Sequence, residues 1–243
     1  MSTVGILYPG YSAEDDYPRA EKLLSADGTD TRLPLVHTEM KVDAHREDAL
    51  LDIGGDDVLA EGARRVAAEA GPLDSIIWAC TSGSFIFGPE GATRQAATLE
   101  RAAGVPASST SFAFVDACHR LGITSVALGA TYPPDVAGAF VQFLTHHGIS
   151  VLTVSARDII TAAEVGTLPN ETVLQFAEAV SSDAPSADAV LLPDTALHTV
   201  DILDALDFRL GKPVLTANQV SIWQGLRLAG ADLGRSGLGT LFR

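Results

Sequence analysis

Short apolar runs alternate with stretches of helical spacing along nearly the whole chain, and this alternation constrains the fold more than any other feature. The apolar runs predict strands over residues 4–8, 75–80, 125–130, 151–155, 189–193 and 213–217. The spacing between them predicts helices over residues 56–70, 94–103, 112–121, 135–147, 170–180, 200–210 and 219–229. Continuous apolar strands separated by helices are typical of a parallel sheet with helices on both faces. The sequence therefore predicts an α/β protein that binds ligands at the carboxyl ends of its strands.

The two halves of the chain repeat each other in outline. A Tyr-Pro pair follows the first strand at 8–9 and recurs after a strand at 132–133. The segments IIWACT at 76–81 and VLLPDT at 190–195 are both apolar strands that end in a reactive residue followed by Thr. The repeat predicts two pseudo-symmetric, Rossmann-like α/β lobes, each with a parallel sheet covered by helices, with the active site between them.

The repeat also predicts where the lobes begin and end. Residues 1–115 form the first lobe, 116–212 form the second, and 213–243 return to the first. The composition is 47% hydrophobic and 19% charged, which supplies enough apolar material for a core and excludes intrinsic disorder.

Charge and hydropathy limit the partners that the protein can have. The 31 acidic and 16 basic residues give a net charge of −15, which opposes binding to nucleic acid or to an anionic membrane surface. No apolar run approaches the roughly 20 residues that span a bilayer, and no basic leader precedes the first strand. We therefore expect a soluble, cytoplasmic homo-oligomer that binds a small molecule. The two cysteines, Cys80 and Cys118, are expected to be free thiols.

The sharpest candidate for chemistry is the segment WACTSGSF at 78–85. It places the Cys80 thiol at the end of a buried strand, and the hydroxyl residues Thr81 and Ser82 follow in a turn. Backbone amides in such a turn bind anions, and the hydroxyls add further donors, so a carboxylate fits there. The same amides are expected to lower the pKa of the thiol and make Cys80 a nucleophile or proton carrier. The alternative is a small buried residue at a strand end.

Asp194 occupies the corresponding position in the second half. A carboxylate that closes an apolar strand is costly unless it is hydrogen-bonded, paired or functional, and the alternative is a helix cap. His198 lies four residues further on, where it could pair with Asp194 or stay at the surface. Tyr132 follows another strand, where its phenol could donate to a ligand oxygen or pack on proline.

The remaining patterns predict neither a metal nor a cofactor. His146 and His147 diverge on a helix and cannot share one metal ion, and neither HExxH nor CxxC occurs. Glycine-rich phosphate-binding motifs are also absent from the sequence.

These residues together resemble the aspartate/glutamate racemase superfamily, in the branch of maleate cis-trans isomerases and arylmalonate decarboxylases. The resemblance is carried by ACTSGSF at 79–85, Tyr-Pro at 132–133, Pro-Asp-Thr at 193–195 and GKPVLTANQ at 211–219. It spans nearly the whole chain. The resemblance implies two pseudo-symmetric lobes, a small carboxylate substrate between them, and cofactor-independent chemistry at its α-carbon.

The chain also departs from that pattern. Racemases and maleate isomerases of the superfamily use one cysteine from each lobe, whereas here Asp194 stands at the second position. Arylmalonate decarboxylases keep only the second-lobe cysteine, so this chain has the reverse arrangement. The loop over 10–14 also lacks the Asn that maleate isomerases place there.

The first hypothesis is a maleate-type isomerase in which Cys80 adds to a C=C bond beside a carboxylate. Asp194 is predicted to lie in the cleft facing Cys80 and to act as the acid, with a pKa raised by desolvation and by the charge of the substrate. Tyr132 completes the predicted catalytic group by donating to the carboxylate oxygens. The residues expected to bind the substrate are Thr81, Ser82, Thr195, Tyr8 and His198.

Three alternatives remain open at this point. The chain could be a decarboxylase of substituted malonates in which Cys80 delivers the proton. It could be a hydrolase with Cys80, His198 and Asp194 as nucleophile, base and orienting group. It could also be a non-catalytic protein that only binds a carboxylate.

Overall fold

Two parallel β-sheets form the framework of the computed structural model, which describes residues 2–26, 30–231 and 233–243. The first sheet has the order β2-β1-β4-β5, with β3 also paired to β1, and the second has the order β7-β6-β8-β9. All these pairings are parallel. The strands are β1 Ser2–Pro9, β2 Thr31–Arg32, β3 Leu35–Thr38, β4 Ser75–Trp78, β5 Ala107–Ser109, β6 Ser125–Ala130, β7 Ser150–Ala156, β8 Ala189–Leu192 and β9 Val214–Thr216.

Helices pack on both sheets and make the two lobes predicted from the repeat. They are α1 Asp16–Leu24, α2 Glu47–Ile53, α3 Asp56–Ala70, α4 Ser82–Phe85, α5 Gly88–Ala103, α6 Thr110–Leu121, α7 Pro134–His146, α8 Ala162–Val165, α9 Asn170–Asp183, α10 Leu203–Leu210 and α11 Ala217–Leu228. Short 3-10 helices cover Val200–Ile202 and Thr240–Phe242. The predicted α/β class and its parallel sheets are confirmed. Helix α3 has the predicted bounds, and α5 begins earlier than predicted, at Gly88.

The strands that carry the candidate residues are buried because helices cover both of their faces. Every residue of β4 and β8 is buried. In a strand of this kind both faces are apolar, so the strand appears in the sequence as a continuous apolar run. The first polar side chains after them, Cys80 and Asp194, therefore emerge at the carboxyl edge of each sheet.

The chain crosses between the lobes at places other than those predicted. Strand β9 pairs with β8 in the second sheet, so the return to the first lobe comes at α11 and not at Pro213. Helix α11 packs on α6 and on β4 of the first lobe. The predicted boundary at 116 falls inside α6, which is a single helix.

A buried polar cluster joins the lobes behind the strand ends. Asn218 at the start of α11 donates to the Asp16 carboxylate at 3.0 Å and to the carbonyl of Thr195 at 3.1 Å. Asp16 in turn accepts from the backbone amides of Thr199 and Val200. Since a buried polar group is costly without partners, this cluster fixes how the segment after β8 sits against α1.

Within the described residues, no helix is long and apolar enough to cross a membrane.

Candidate active site

A small enclosed cavity lies where the carboxyl ends of β1, β4 and β8 meet. Its volume is about 30 Å³, close to the volume of one water molecule in the liquid. Its polar lining consists of Tyr8, Ser12, Asp43, His45, Cys80, Ser82, Asp194 and Thr195, and its apolar lining includes Met40, Val42, Leu50 and Ile53. A larger surface groove of about 660 Å³, at Phe208 and Lys212, is remote from both strand-end motifs. The small cavity is therefore the candidate site.

Cys80 follows β4, and its side chain is held at the floor of the cavity. The backbone N–H of Gly83 donates to its Sγ at 3.2 Å, and the Ser82 Oγ lies 3.8 Å from the same sulfur. A Cβ at position 83 would lie 2.9 Å from the Sγ, so the turn can close on the thiol only with glycine there.

The pKa of Cys80 moves in the direction opposite to the one predicted from the sequence. Burial raises the pKa of the thiol to about 12, and the nearby charge of Asp194 adds to the rise. The hydrogen bonds from Gly83 and Ser82 lower the pKa, but they do not offset the loss of water. In the closed site Cys80 is therefore a neutral thiol at neutral pH.

Asp194 lines the same cavity as Cys80 and reaches it from the second lobe. The Thr131 hydroxyl donates to its Oδ2, and the Ala196 N–H donates to its Oδ1 at 2.9 Å. Asp194 does not cap the Val200–Ile202 helix, which begins after Thr199. The structure thus brings the two strand-end residues together, with the carboxylate hydrogen-bonded as its burial requires.

Tyr132 and Thr81 lie behind the cavity wall. The Tyr132 hydroxyl donates to the carbonyl of Pro193 at 2.6 Å, and burial raises the pKa of the phenol well above its usual value. The buried Thr81 hydroxyl lies near that phenol and makes no well-formed hydrogen bond within the described residues. It is therefore the more available of the two for a ligand oxygen.

Tyr8 and Thr195 form one side of the cavity. The Tyr8 hydroxyl donates to the Thr195 carbonyl at 2.9 Å and accepts from the Ala13 amide at 3.1 Å. The Ser12 hydroxyl lies 2.7 Å from the same oxygen. Because the Thr195 carbonyl takes the single proton of Tyr8, Ser12 is the donor in the contact between the two hydroxyls. Burial raises the pKa of the Tyr8 phenol.

His198 is not brought to the cavity with the other predicted residues. Its Nε2 lies 2.7 Å from the Asp15 Oδ1, and it does not pair with Asp194. That pair required a helix after Asp194, and the segment is not an α-helix. His198 instead takes the alternative position, partly exposed at the surface. The arrangement of Cys80, His198 and Asp194 needed for a hydrolase is therefore not present.

His45 is the cavity residue that the sequence did not reveal. Its side chain is 6% exposed, and its Nε2 lies 3.8 Å from the Asp194 Oδ2. Its Nδ1 lies 3.0 Å from the carbonyl oxygen of Ile159, and its ring meets that of Tyr132 edge-on at 4.9 Å. His45 lies in an irregular segment, far in sequence from these partners, so neither periodicity nor a motif marks it.

The segment over residues 39–46 covers the cavity and bonds to the second lobe. The Asp43 carboxylate accepts from the amides of Ala162 at 2.8 Å and Ala163 at 3.0 Å. The His45 N–H donates to the carbonyl of Ile160 at 2.6 Å. We call residues 39–46 the covering segment. It belongs to the first lobe, and these hydrogen bonds join it to the second lobe.

Across the described ranges, no group of three or more His, Cys, Asp and Glu side chains is arranged to hold a metal ion.

Known proteins share this fold and part of this sequence. A family model described as arylmalonate decarboxylase matches residues 48–242. The arylmalonate decarboxylase of Bordetella bronchiseptica is 26% identical over 185 residues, which are 76% of this chain and 76% of that protein.

Two solved structures extend the comparison to the whole chain. One is a liganded arylmalonate decarboxylase mutant with glycine-to-cysteine and cysteine-to-serine substitutions. It is 23% identical with a TM-score of 0.85, and the match covers 100% of this chain and 99% of that one. The other is a cysteine-to-serine mutant of the Nocardia farcinica maleate cis-trans isomerase with a covalently bound succinylcysteine intermediate. It is 20% identical with a TM-score of 0.86, over 100% of this chain and 98% of that one. The two-lobed fold is thus common to both kinds of enzyme.

Proposed function

The chain belongs to the arylmalonate decarboxylase family, and from that premise we propose that it is a cofactor-independent isomerase of maleate cis-trans type acting on a small dicarboxylate. The observation that carries this proposal is that a single thiol, Cys80, and a carboxylate, Asp194, line one cavity from opposite lobes. A nucleophile and a proton carrier on two sides of one substrate are what addition to a C=C bond and its reversal require.

A relative of the same fold supports the choice of a thiol nucleophile. The isomerase mutant from Nocardia farcinica holds a succinylcysteine although one of its cysteines is replaced by serine. One cysteine is therefore sufficient for covalent addition in that protein. This chain likewise has one cysteine at the cavity, since Cys118 is buried elsewhere, in α6.

The proposed reaction begins with the neutral thiol. As the Cys80 sulfur bonds to one alkene carbon, Asp194 accepts the thiol proton and the π electron pair moves toward the adjacent carboxylate as an enediolate. The proton then passes to the other carbon and gives a thioether with a freely rotating C–C bond. After rotation the same steps run in reverse: the proton leaves carbon, the double bond forms again, and the sulfur departs and regains its proton. Atoms and charges are unchanged over the cycle.

Two serine hydroxyls in the polar lining can donate to substrate carboxylates. Ser82 lies beside Cys80, where enediolate charge would develop. Ser12 also lines the cavity, and a carboxylate that accepts from it would replace its contact with Tyr8. A substrate with a carboxylate at each end of a C=C bond can use both hydroxyls.

Substitution of Cys80 tests the proposal most directly. We expect Cys80→Ser to abolish conversion of maleate into its trans isomer, followed by the proton NMR signals of the vinyl hydrogens, while Cys118→Ala leaves the rate unchanged. Circular dichroism checks that both variants fold. Retention of the rate in Cys80→Ser would remove Cys80 from the mechanism. Absence of turnover for any diacid, together with micromolar binding of a carboxylate, would instead identify a binding protein.

A decarboxylase is the second candidate, and the apolar side of the cavity favours it. Met40, Val42, Leu50 and Ile53 form a surface that would destabilise a departing carboxylate. A neutral thiol such as Cys80 could then protonate the enediolate. Asp194 opposes this reading because its charge lies beside the substrate. Release of CO₂ from an arylmalonate, without conversion of maleate, would reverse our ranking.

A further inference from the structure

His45 lies beside Asp194 in the cavity and has no part in the reaction as proposed so far. We propose that His45 and Asp194 hold one proton between them and act as a single proton carrier opposite Cys80. The shared proton is inferred from the positions of the two side chains and their neighbours, and its delivery to carbon rests on the proposed function.

The hydrogen bond at Nδ1 determines the protonation state of the imidazole. The Ile159 carbonyl, 3.0 Å from Nδ1, can only accept, so Nδ1 carries a proton. In a neutral ring Nε2 is then an unprotonated acceptor, and it faces a second acceptor, the Asp194 Oδ2, at 3.8 Å. Two lone pairs facing each other in a buried site repel. An additional proton on one of the two groups would turn this repulsion into an attraction.

The partners of Asp194 place that proton on the histidine. Thr131 and the Ala196 amide both donate to the carboxylate, which stabilises its charged form. The other titratable groups around His45 are Tyr132, whose ring edge meets it, and Cys80 across the cavity. Asp43, two residues earlier, is occupied by the amides at the start of α8. The pair is thus best described as imidazolium and carboxylate.

The charge of the cavity supports the same assignment. None of the described residues that line it is Lys or Arg, whereas a dicarboxylate substrate brings two negative charges. A protonated His45 would be the cation that faces the substrate. Its N–H can bond to a carboxylate oxygen in the ground state and supply a proton as the adjacent carbon becomes basic.

In the reaction, the pair takes up the thiol proton and returns one to the substrate. The proton leaves Cys80 for the Asp194 carboxylate as the S–C bond forms, while Nε2–H gives its proton to the enediolate carbon. Transfer from Asp194 to Nε2 restores the pair. The reverse steps complete elimination, so no proton is gained or lost.

Nitrogen-15 NMR of labelled histidine tests the shared proton without any substrate. We expect the His45 resonances of the wild-type protein to report a doubly protonated ring at neutral pH, and those of Asp194→Asn to report a neutral ring protonated at Nδ1. A His45 ring with unprotonated Nε2 that is unchanged by Asp194→Asn would overturn the proposal.

Kinetics of His45→Asn test the delivery of the proton. The amide of asparagine can still donate to the Ile159 carbonyl, but it has no group at the position of Nε2. We expect kcat to fall by about 10²- to 10⁴-fold, the usual contribution of a positioned acid or base. His45→Gln, which restores a donor near Asp194 but cannot transfer a proton, should be equally slow. His146→Asn at the end of α7 is the matched control and should keep the wild-type rate.

The two tests fail independently. If the wild-type protein converts no diacid, the proposed function fails, and the NMR result alone decides whether the pair shares a proton. If conversion occurs and either His45 variant keeps the wild-type kcat, the isomerase assignment stands but His45 is not its proton carrier. Thermal melts of the variants establish that a loss of rate is not a loss of fold.

Discussion

Asp194 stands at the carboxyl end of β8, and its surroundings explain how the chain accommodates a buried carboxylate there. Both carboxylate oxygens accept hydrogen bonds, from Thr131 and from the Ala196 amide. His45 adds a third polar neighbour at 3.8 Å. These partners compensate for the water that the carboxylate loses on burial.

Replacement of Asp194 by asparagine tests this role at the scale of one residue. The amide has the same shape and can keep the contacts with Thr131 and Ala196, but it cannot carry a proton. We expect kcat to fall by about 10²- to 10⁴-fold, with the affinity for a non-reactive dicarboxylate preserved within a few fold. Steady-state kinetics and calorimetry give the two quantities. Loss of binding together with rate would indicate that Asp194 only maintains the shape of the cavity.

The chemistry at single residues was only partly predictable from the sequence. The positions of Cys80 and Asp194 followed from strand ends, since the carboxyl edge of a parallel sheet is set by the apolar pattern. The pKa of Cys80 did not follow. Its value depends on how completely the covering segment and the second lobe exclude water, and one segment of sequence does not specify that.

At the scale of elements, the covering segment is the part of the first lobe that controls access. The cavity of about 30 Å³ is small for a dicarboxylate, so we expect residues 39–46 or the lobes to move when substrate enters. The segment has little regular structure of its own and is held by a few hydrogen bonds to the second lobe. Segments of this kind open at low free-energy cost.

We expect Asp43→Ala to open the covering segment more often, because it removes both hydrogen bonds to the start of α8. KM should rise and kcat should fall, since closure also positions His45. Alkylation of Cys80 by iodoacetamide should become several-fold faster. Asp57→Ala removes the same charge from an exposed position at the start of α3, outside the covering segment, and should change neither. Equal alkylation rates in the two variants would exclude Asp43 as the tether.

The shortest elements missing from the sequence prediction share a physical cause. Strands β2, β3 and β5 have two to four residues, too few for a periodic pattern. Helix α4 has four residues and forms because the turn after Cys80 closes on the sulfur. Such elements are stabilised by tertiary contacts and not by their own propensity.

At the scale of the molecule, the two-lobed architecture was predictable because it follows from pattern and repetition. The assignment of β9 was not, since an apolar strand fits either sheet equally well by pattern alone. Strand β9 lies beside β8 because the chain returns to the first lobe only after it, at α11, which packs on α6 and β4. The site between the lobes thus depends on contacts that are distant in sequence.

Burial of both thiols predicts how the stability of the whole molecule depends on pH. Burial raises the pKa of Cys118 to about 12, as it does for Cys80, whereas an unfolded thiol ionises near 9. Between these values the unfolded chain releases a proton that the folded chain retains, so alkali favours unfolding. Below pH 9 both states hold the proton, and this contribution to stability is fully present.

We therefore expect the free energy of unfolding to fall above pH 9, by up to about 1.4 kcal/mol per pH unit for each buried thiol. Cys118→Ala removes one of the two thiols and should make the fall less steep, even though the substitution lowers stability somewhat at pH 8 by leaving a small cavity. Urea unfolding at a series of pH values from 7 to 10.5 measures both slopes. Burial also raises the pKa values of three tyrosines, which lower the free energy of unfolding in alkali in both proteins; they are Tyr8, Tyr17 and Tyr132. The difference between the two pH slopes therefore reports on Cys118 alone. Identical slopes in the two proteins would show that Cys118 ionises at the same pH in the folded and unfolded states.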